Sequence, residues 1–247
     1  MDKIPEDRDA RLAFLEGWAK SQQSRLHAEE IARVMAQARQ RIGQADSLRE
    51  VAVIPVVITK PSDLPVDRAA VFADLMVRLR EYKWADPIVS ECDEPRYIAP
   101  KAIDLARRHR PGAPWLLYME DDVILGPDFG LLPALLREAD ELFPDTGVVS
   151  FFSGTHDEPG WSTYPIGYFG WLQCAAIRNT DHLVGFRSAG KQLDKDPDMA
   201  VRLFLAGEYE AYALWCPSLV QHAEVTSTLG HQGERISWSY KQAYGDT

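Results

Sequence analysis

The amino-acid sequence predicts an α/β protein with a mostly parallel central sheet covered by helices on both faces, in three layers. Two observations support this prediction. From Glu50 onward, short β-branched runs alternate with longer segments of helical periodicity. The composition, 46% hydrophobic and 26% charged over 247 residues, is that of a globular protein with a sizeable core.

Each element follows from its own local pattern. Apolar runs that are too short for helices predict strands at Val51–Thr59, Ile88–Cys92, Trp115–Met119 and Val148–Phe152. Helical spacing between them predicts helices at Val71–Tyr82, about Pro100–His109 and about Leu131–Phe143. Ligands of parallel sheets collect at the carboxyl ends of the strands, so functional residues are expected just after each predicted strand.

The first 48 residues differ in style from the remainder. Apolar residues recur at steps of mostly three to five from Leu12 to Ile42, and the pattern ends near Gly43. We expect a helical arm at residues 1–48 that packs on the main body or on a partner subunit, and a main domain at residues 49–247.

Composition excludes several classes of protein. It is not that of a disordered, collagen-like or low-complexity chain, and the longest apolar run, Val51 to Ile58, is far short of the roughly 20 residues of a membrane span. A formal net charge of -10 disfavours general binding to nucleic acid or anionic lipid. The charged opening segment and three widely spaced cysteines predict a cytoplasmic protein with reduced thiols.

An acidic triplet directly follows the third predicted strand. Glu120, Asp121 and Asp122 come after five apolar or aromatic residues and are followed by three more apolar ones. Adjacent carboxylates next to a buried strand repel one another, and a cation that bridges them to an anionic ligand removes that repulsion. Oxygen ligands of this kind suit Mg²⁺ or Mn²⁺. A solvated acidic turn is the simpler alternative.

Two segments resemble a known enzyme family. The sequence MEDDV resembles the D-x-D-type motif of GT-A-fold glycosyltransferases, and WCPSLVQHAEVTSTLG, Trp215–Gly230, resembles a signature of the N-acetylglucosaminyltransferase IV group and related bacterial and phage transferases. Glu224 departs from that signature, which commonly has glycine there. The resemblance implies a GT-A-type, Rossmann-like sandwich for the main domain.

The resemblance also implies roles for the motif residues. Asp122 would bind Mn²⁺ or Mg²⁺ bridged to the donor diphosphate, Glu120 would face the ribose or sugar, and Asp121 would support the site. His222 would complete the metal coordination. The alternative for His222 is an ordinary hydrogen-bonded histidine of the core or surface.

Donor-binding residues are expected at the ends of other strands. By the same resemblance, Thr59, Lys60, Glu91 and Asp93 would surround the nucleotide. The segment that contains Gly170 and Trp171 would flank the donor sugar. Charged residues occupy most loop tips of α/β proteins without binding a ligand, and aromatic residues there also serve as ordinary packing.

A carboxylate base is expected at the start of a later helix. Pro197 suits the first turn of a helix. In many inverting enzymes of the GT-A type that the two segments resemble, the base lies at the start of such a helix, and this resemblance makes Asp198 the first candidate for the base and Asp196 the second. Acidic residues in a first helical turn also offset the helix dipole without any catalytic role.

The leading functional hypothesis is a metal-dependent glycosyltransferase that moves a sugar from a nucleotide-diphosphate sugar, with UDP favoured, to a hydroxyl acceptor with inversion. The alternatives are a nucleotidyltransferase acting on sugar phosphates and a non-catalytic protein that binds sugar nucleotides. The acceptor would be a glycan or, if the basic run Arg107–Arg110 and the arm form a groove, a modified base of phage DNA. The oligomeric state is left open.

Overall fold

The computed structural model describes residues 27–40, 53–154, 158–170, 172–186, 197–225 and 237–244. Most of the predicted arm lies outside these ranges, as do Asp196, Trp171 and the last part of the second motif. The predictions that fall on those residues stay predictions.

Nine strands and six α-helices make up the described residues. The strands are β1 (Ile54–Lys60), β2 (Ala85–Glu91), β3 (Trp115–Glu120), β4 (Val123–Leu125), β5 (Val148–Ser150), β6 (Gly160–Pro165), β7 (Cys174–Arg178), β8 (Ala211–Cys216) and β9 (Val220–His222). The helices are α1 (residues 27–40), α2 (Val66–Glu81), α3 (Pro95–His109), α4 (Leu132–Leu142), α5 (Pro197–Leu205) and α6 (Trp238–Tyr244). Short 3-10 helices lie at Phe129–Leu131, Ile166–Tyr168 and Asp181–Gly185.

Seven of the strands form one sheet in the order β2-β1-β3-β7-β5-β8-β6. The pairs β2/β1, β1/β3 and β5/β8 are parallel, whereas β7 is antiparallel to both of its neighbours and β6 is antiparallel to β8. Five strands therefore run in one direction and two run against them. The predicted α/β class with a mostly parallel sheet is confirmed, and the arrangement agrees with a GT-A-type, Rossmann-like architecture.

Side-chain alternation along the central strands builds a core on each face of the sheet. In β1, Val56 and Ile58 pack with α1, α2 and α4, whereas Val57 between them packs with α3 and α5. In β3, Leu117 and Met119 face the first group. Successive side chains of a strand point to opposite faces, so an uninterrupted apolar run fills both cores.

Two predicted helices begin five residues earlier than expected. Helix α2 begins at Val66, directly after Pro65, and α3 begins at Pro95 with Pro100 inside it. A proline in the first turn of a helix costs no hydrogen bond, because the N–H groups of that turn have no partner within the helix. By this rule, Pro95 and Pro100 could each have marked the start of α3. Pro87 lies within β2, which is an edge strand of the sheet. Proline has no N–H, and on an edge strand this loss is tolerated because one side of the strand has no neighbouring strand to bond.

Helix α1 belongs to the same core as the sheet. Ile31, Met35 and Ala38 are buried in it, and the Arg39 guanidinium donates from Nε to Oδ1 of Asp128 at 2.7 Å. The predicted helical character of this part of the arm is seen in residues 27–40. The predicted domain boundary, between residues 48 and 49, lies within residues 41–52, which are outside the described ranges, so the division stays a prediction.

Within the described ranges, none of the helices combines the length and apolar character that crossing a membrane would require. Cys92, Cys174 and Cys216 are free thiols, and burial strongly raises the pKa of the Cys174 thiol. A fully buried thiol with a raised pKa has little nucleophilic character.

Candidate metal centre

A small second sheet joins the two sequence motifs. Strand β4 follows the acidic triplet, β9 ends at His222, and the two strands pair antiparallel with Val123 opposite His222. The Ala223 N–H donates to the Asp122 carbonyl oxygen at 2.8 Å, which extends the ladder by one bond. The triplet and the histidine, 100 positions apart in the chain, are therefore fixed against each other by backbone hydrogen bonds.

Three side chains converge at this ladder. Glu120, Asp122 and His222 each offer a ligand atom, and these atoms lie within 4.8 Å of one another. Glu120 is the last residue of β3, at the carboxyl edge of the main sheet, and Thr59 of β1 is its register partner. The predicted pairing of Asp122 with His222 is thus present, and Glu120 joins it as a third candidate ligand.

The two oxygens of the Asp122 carboxylate have different surroundings. Its Oδ2 lies 2.9 Å from Arg68 Nη1 and 3.2 Å from His222 Nε2. Its Oδ1 is buried and has no hydrogen-bond partner among the described residues. Burial raises the pKa of the Asp122 carboxyl, but the hydrogen bond and charge of His222 and the charge of Arg68 outweigh it, so the pKa lies below its usual value.

Arg68 of helix α2 is a site residue that the sequence did not reveal. Its Nε and Nη2 donate to the two carboxylate oxygens of Asp121 at 2.6 and 2.7 Å. Arg68 is 7% exposed and Asp121 is 1% exposed, so the pair is buried. Burial opposes the charge on both groups, raising the pKa of Asp121 and tending to lower that of Arg68, but the carboxylates keep the Arg68 pKa raised. Two bonds of this length indicate an ionised, bidentate pair.

Gln173 is a second site residue that was missed. It immediately precedes β7, is fully buried, and donates from Nε2 to Glu120 Oε2 at 3.3 Å. Its Oε1 is buried, and no described residue forms a hydrogen bond with it. Buried polar atoms are rarely unpartnered, so this oxygen and Asp122 Oδ1 are each candidate contacts for a ligand.

A buried polar network holds the strand that carries His222. The Gln221 Oε1 atom accepts from the His222 N–H at 3.1 Å and from the Ser237 N–H at 2.8 Å. The Ser237 hydroxyl in turn donates to Ser218 Oγ at 2.7 Å. These bonds connect the start of α6 to β9. The backbone of His222 is therefore held by this network as well as by the β4/β9 ladder.

The residues predicted to bind the nucleotide lie at the expected sheet edge and already have protein partners. The Thr59 side chain is buried, with its hydroxyl 3.2 Å from the Met119 carbonyl oxygen. Lys60 forms an ion pair with Glu91 at 2.5 Å. Asp93 accepts from the Ser62 N–H and hydroxyl at 2.8 and 2.7 Å, which lowers the pKa of its carboxyl. The side chains of Thr59 and Asp93 thus form hydrogen bonds that stabilise the fold. Nucleotide binding by any of the predicted residues stays a prediction.

The remaining predicted residues are described only in part. Gly170 is half-buried next to the 3-10 helix that ends at Tyr168, and Trp171 lies outside the described residues. Asp198 is in the first turn of α5, as expected, but its side chain is not described; Asp196 is outside the described ranges. Trp161 packs edge-on against Trp215 at 5.1 Å between ring centroids, which is core packing.

The donor set fits a divalent cation that prefers oxygen. Two carboxylates and one imidazole nitrogen converge, and one buried carboxylate oxygen has no partner in the part of the chain that the structure describes. Mn²⁺ and Mg²⁺ take carboxylate ligands and keep positions for water or phosphate oxygens. The incomplete protein shell at this site leaves such positions to a ligand.

No family model and no curated protein matches the sequence. Among solved structures, the chain is similar to the crystal structure of a glycosyltransferase involved in the glycosylation of the major capsid of PBCV-1. The TM-score is 0.42 with 15% sequence identity, and the match covers 59% of this chain and 69% of that chain. A likeness at this level identifies neither a family nor an activity, so function is inferred from the site itself.

Proposed function

We propose that this protein is a metal-dependent glycosyltransferase that uses a nucleotide-diphosphate sugar, with a UDP-sugar as the favoured donor. The convergence of Glu120, Asp122 and His222 at the carboxyl edge of the sheet carries the proposal. The two segments that resemble GT-A transferases supply these residues, and the β4/β9 ladder brings them together. Two segments that matched the motifs only by chance would have no reason to meet in this way.

The residues of the site would hold the cation and leave room for the donor. Asp122 would offer its free Oδ1, Glu120 a carboxylate oxygen and His222 its Nε2. A bound Mn²⁺ or Mg²⁺ would supply charge neutralisation for the leaving diphosphate. Gln173 would hold Glu120 in place through its Nε2 and present Oε1 to a hydroxyl or N–H of the ligand.

The transfer itself needs a proton acceptor from the protein. The bond between the sugar C1 and the diphosphate oxygen breaks, a bond between C1 and the acceptor oxygen forms, and the acceptor hydroxyl gives its proton to a carboxylate. We assign that role to Asp198 in the first turn of α5, with Asp196 as the alternative. Direct displacement with such a base gives inversion at C1. The acceptor in this proposal is a hydroxyl of a glycan.

Turnover of the donor in the presence of the metal tests the proposal. We expect the wild-type protein to hydrolyse or transfer sugar from a UDP-sugar with Mn²⁺ and to stop when EDTA is added. Asp122→Ala should lose at least 100-fold in rate, because the cation loses its central ligand. Asp145→Asn, which removes an exposed carboxylate on the loop after α4, is the matched control and should keep the wild-type rate.

Three results would separate the alternatives. Metal-dependent turnover in Asp122→Ala would refute the metal assignment. Binding of nucleotide sugars without any turnover would point to the non-catalytic alternative. Formation of a sugar nucleotide from a sugar phosphate and a nucleoside triphosphate would point to a nucleotidyltransferase.

A further inference from the structure

Arg68 places a buried positive charge against the acidic triplet. It is the third residue of helix α2, which packs on the face of the sheet next to β4, and its guanidinium is almost completely buried. All of its described polar contacts are to the triplet: two hydrogen bonds to Asp121 and one ion pair to Asp122 Oδ2.

These contacts give the two aspartates different roles. Both oxygens of Asp121 accept a hydrogen bond from Arg68, so this carboxylate is paired with the guanidinium. Asp122 contacts Arg68 and His222 through Oδ2, and within the described ranges its Oδ1 has no partner. A buried oxygen that lacks a protein partner is the independent sign that a ligand belongs at this site.

The formal charges of the site show what Arg68 adds. Glu120, Asp121 and Asp122 contribute -3 and Arg68 contributes +1, which gives -2 with His222 neutral as a ligand. A divalent cation brings this sum to zero. Without Arg68 the loaded site would keep a charge of -1, in a buried region of low dielectric where it would repel a diphosphate.

We propose that Arg68 is a positioning residue that reserves Asp121 as its partner and sets the charge of the metal-loaded site to zero, so that an anionic diphosphate can bind. This inference rests on the proposed function, since it concerns the same site and donor. It makes a prediction that a purely structural ion pair does not: removing the guanidinium charge should change the affinities for the cation and for the nucleotide in opposite directions.

Calorimetric titrations on Arg68→Gln test this directly, at pH 8 so that the carboxylates are ionised. The probes are Mn²⁺ alone and then UDP at saturating Mn²⁺. We expect Mn²⁺ to bind more tightly than to the wild type, because the site is more negative, and UDP to bind about 10-fold more weakly or worse. Arg108→Gln removes the same charge from an exposed ion pair on α3 and should leave both affinities within about 2-fold of wild type.

Restoring the charge should restore the affinity. Arg68→Gln combined with Asp121→Asn returns the site to -2, and Arg68→Lys keeps the positive charge, so both should regain UDP binding to within about 3-fold of wild type. If Arg68→Gln alone does not fold, Asp121→Asn gives the converse test, because it makes the site less negative and should weaken Mn²⁺ binding without weakening UDP binding at saturating Mn²⁺.

The possible failures are distinguishable. A parallel loss of Mn²⁺ and UDP affinity in Arg68→Gln, or no change in either, would overturn the role of Arg68 while leaving the proposed function intact. Failure of the double variant and of Arg68→Lys to regain UDP binding would overturn it as well. A wild-type protein that binds neither Mn²⁺ nor UDP would instead refute the proposed function.

Discussion

At the scale of single residues, the site has two buried oxygens that receive no hydrogen bond from any residue that the structure describes. Asp122 Oδ1 and Gln173 Oε1 both fall into this class. A buried polar atom without a partner costs about 1–3 kcal/mol of stability. A protein that keeps such atoms next to converging carboxylates gives up stability at a place where a ligand can recover it.

Gln173→Leu should therefore separate stability from binding. Replacing the amide by an apolar side chain of similar size removes the unpartnered oxygen, so we expect the free energy of unfolding to stay within about 1 kcal/mol of wild type or to rise. Glu120 loses its donor and the ligand loses an acceptor, so affinity for the nucleotide sugar should fall about 10-fold. Urea denaturation and calorimetry measure the two effects.

Thr180→Val is the matched control for this prediction. Thr180 also has a buried oxygen without a partner, but it lies after β7, at the end of that strand away from Gln173. The substitution should act on stability alone. A fall in nucleotide-sugar affinity in Thr180→Val, or an unchanged affinity in Gln173→Leu, would contradict the assignment of Gln173 to the site.

At the scale of secondary-structure elements, the site depends on how closely β4 and the chain before β9 approach each other. The Gly126 N–H donates to the Leu219 carbonyl oxygen at 2.8 Å. A Cβ at position 126 would lie 2.8 Å from that oxygen and 3.0 Å from the Tyr240 ring. Only glycine permits this backbone contact, which keeps β9 in register with β4.

Gly126→Ala should weaken both the fold and the metal site. Forcing the two segments apart costs about 1–3 kcal/mol, as overpacking does elsewhere. Because His222 lies at the far end of the same ladder, we expect Mn²⁺ affinity to fall as well. Denaturant melts and Mn²⁺ titration measure these effects.

Gly112→Ala provides the comparison, since a Cβ there meets nothing within 4 Å. It should stay within about 0.5 kcal/mol of wild type and bind Mn²⁺ normally. Wild-type Mn²⁺ affinity in Gly126→Ala would show that the close approach does not position His222.

Four of the seven strands of the main sheet, β1, β2, β3 and β5, could be predicted from the sequence, whereas the other three and the small sheet were not. Runs such as Trp115–Met119 are apolar on both faces and are too short for a helix, so a buried strand is the favoured interpretation. Strands β4 and β9 have three residues each, which is too short for a periodic signal. Their pairing is a tertiary contact, so only the family resemblance of the two motifs indicated that Asp122 and His222 would meet.

Arg68 is a site residue that could not be predicted from the sequence for the same reason: its contacts are tertiary. It lies 53 positions before Asp121, on a helix whose pattern gives no sign of a buried charge. Arginine is usually exposed, and a sequence does not report which one is buried against a carboxylate. A short acidic cluster after a buried strand was a signal that some cation must lie nearby, but it did not distinguish a metal from an arginine.

At the scale of the whole molecule, the carboxyl ends of five strands of the main sheet meet at one edge. Strands β3 and β8 lead from that edge into the two strands of the small sheet, so the fold itself directs both motifs to the same place. This edge of the sheet belongs to a chain with a net charge of -10. A diphosphate that approaches it without a cation meets repulsion from the local carboxylates and from the molecule as a whole.

Binding of UDP should therefore depend on the metal. A ligand that binds only the folded protein at about 100 times its Kd adds about 2.7 kcal/mol of stability, which corresponds to a rise in Tm of about 5–10 °C for a chain of this size. We expect that rise with UDP and Mn²⁺ together, and less than about 1 °C with UDP and EDTA. Uridine, which has no phosphate, should give no rise with or without Mn²⁺, because the cation would have no anionic group to bridge. An equal rise for UDP in Mn²⁺ and in EDTA would mean that the nucleotide binds away from Asp122 and His222, and the metal-bridged site would then be wrong.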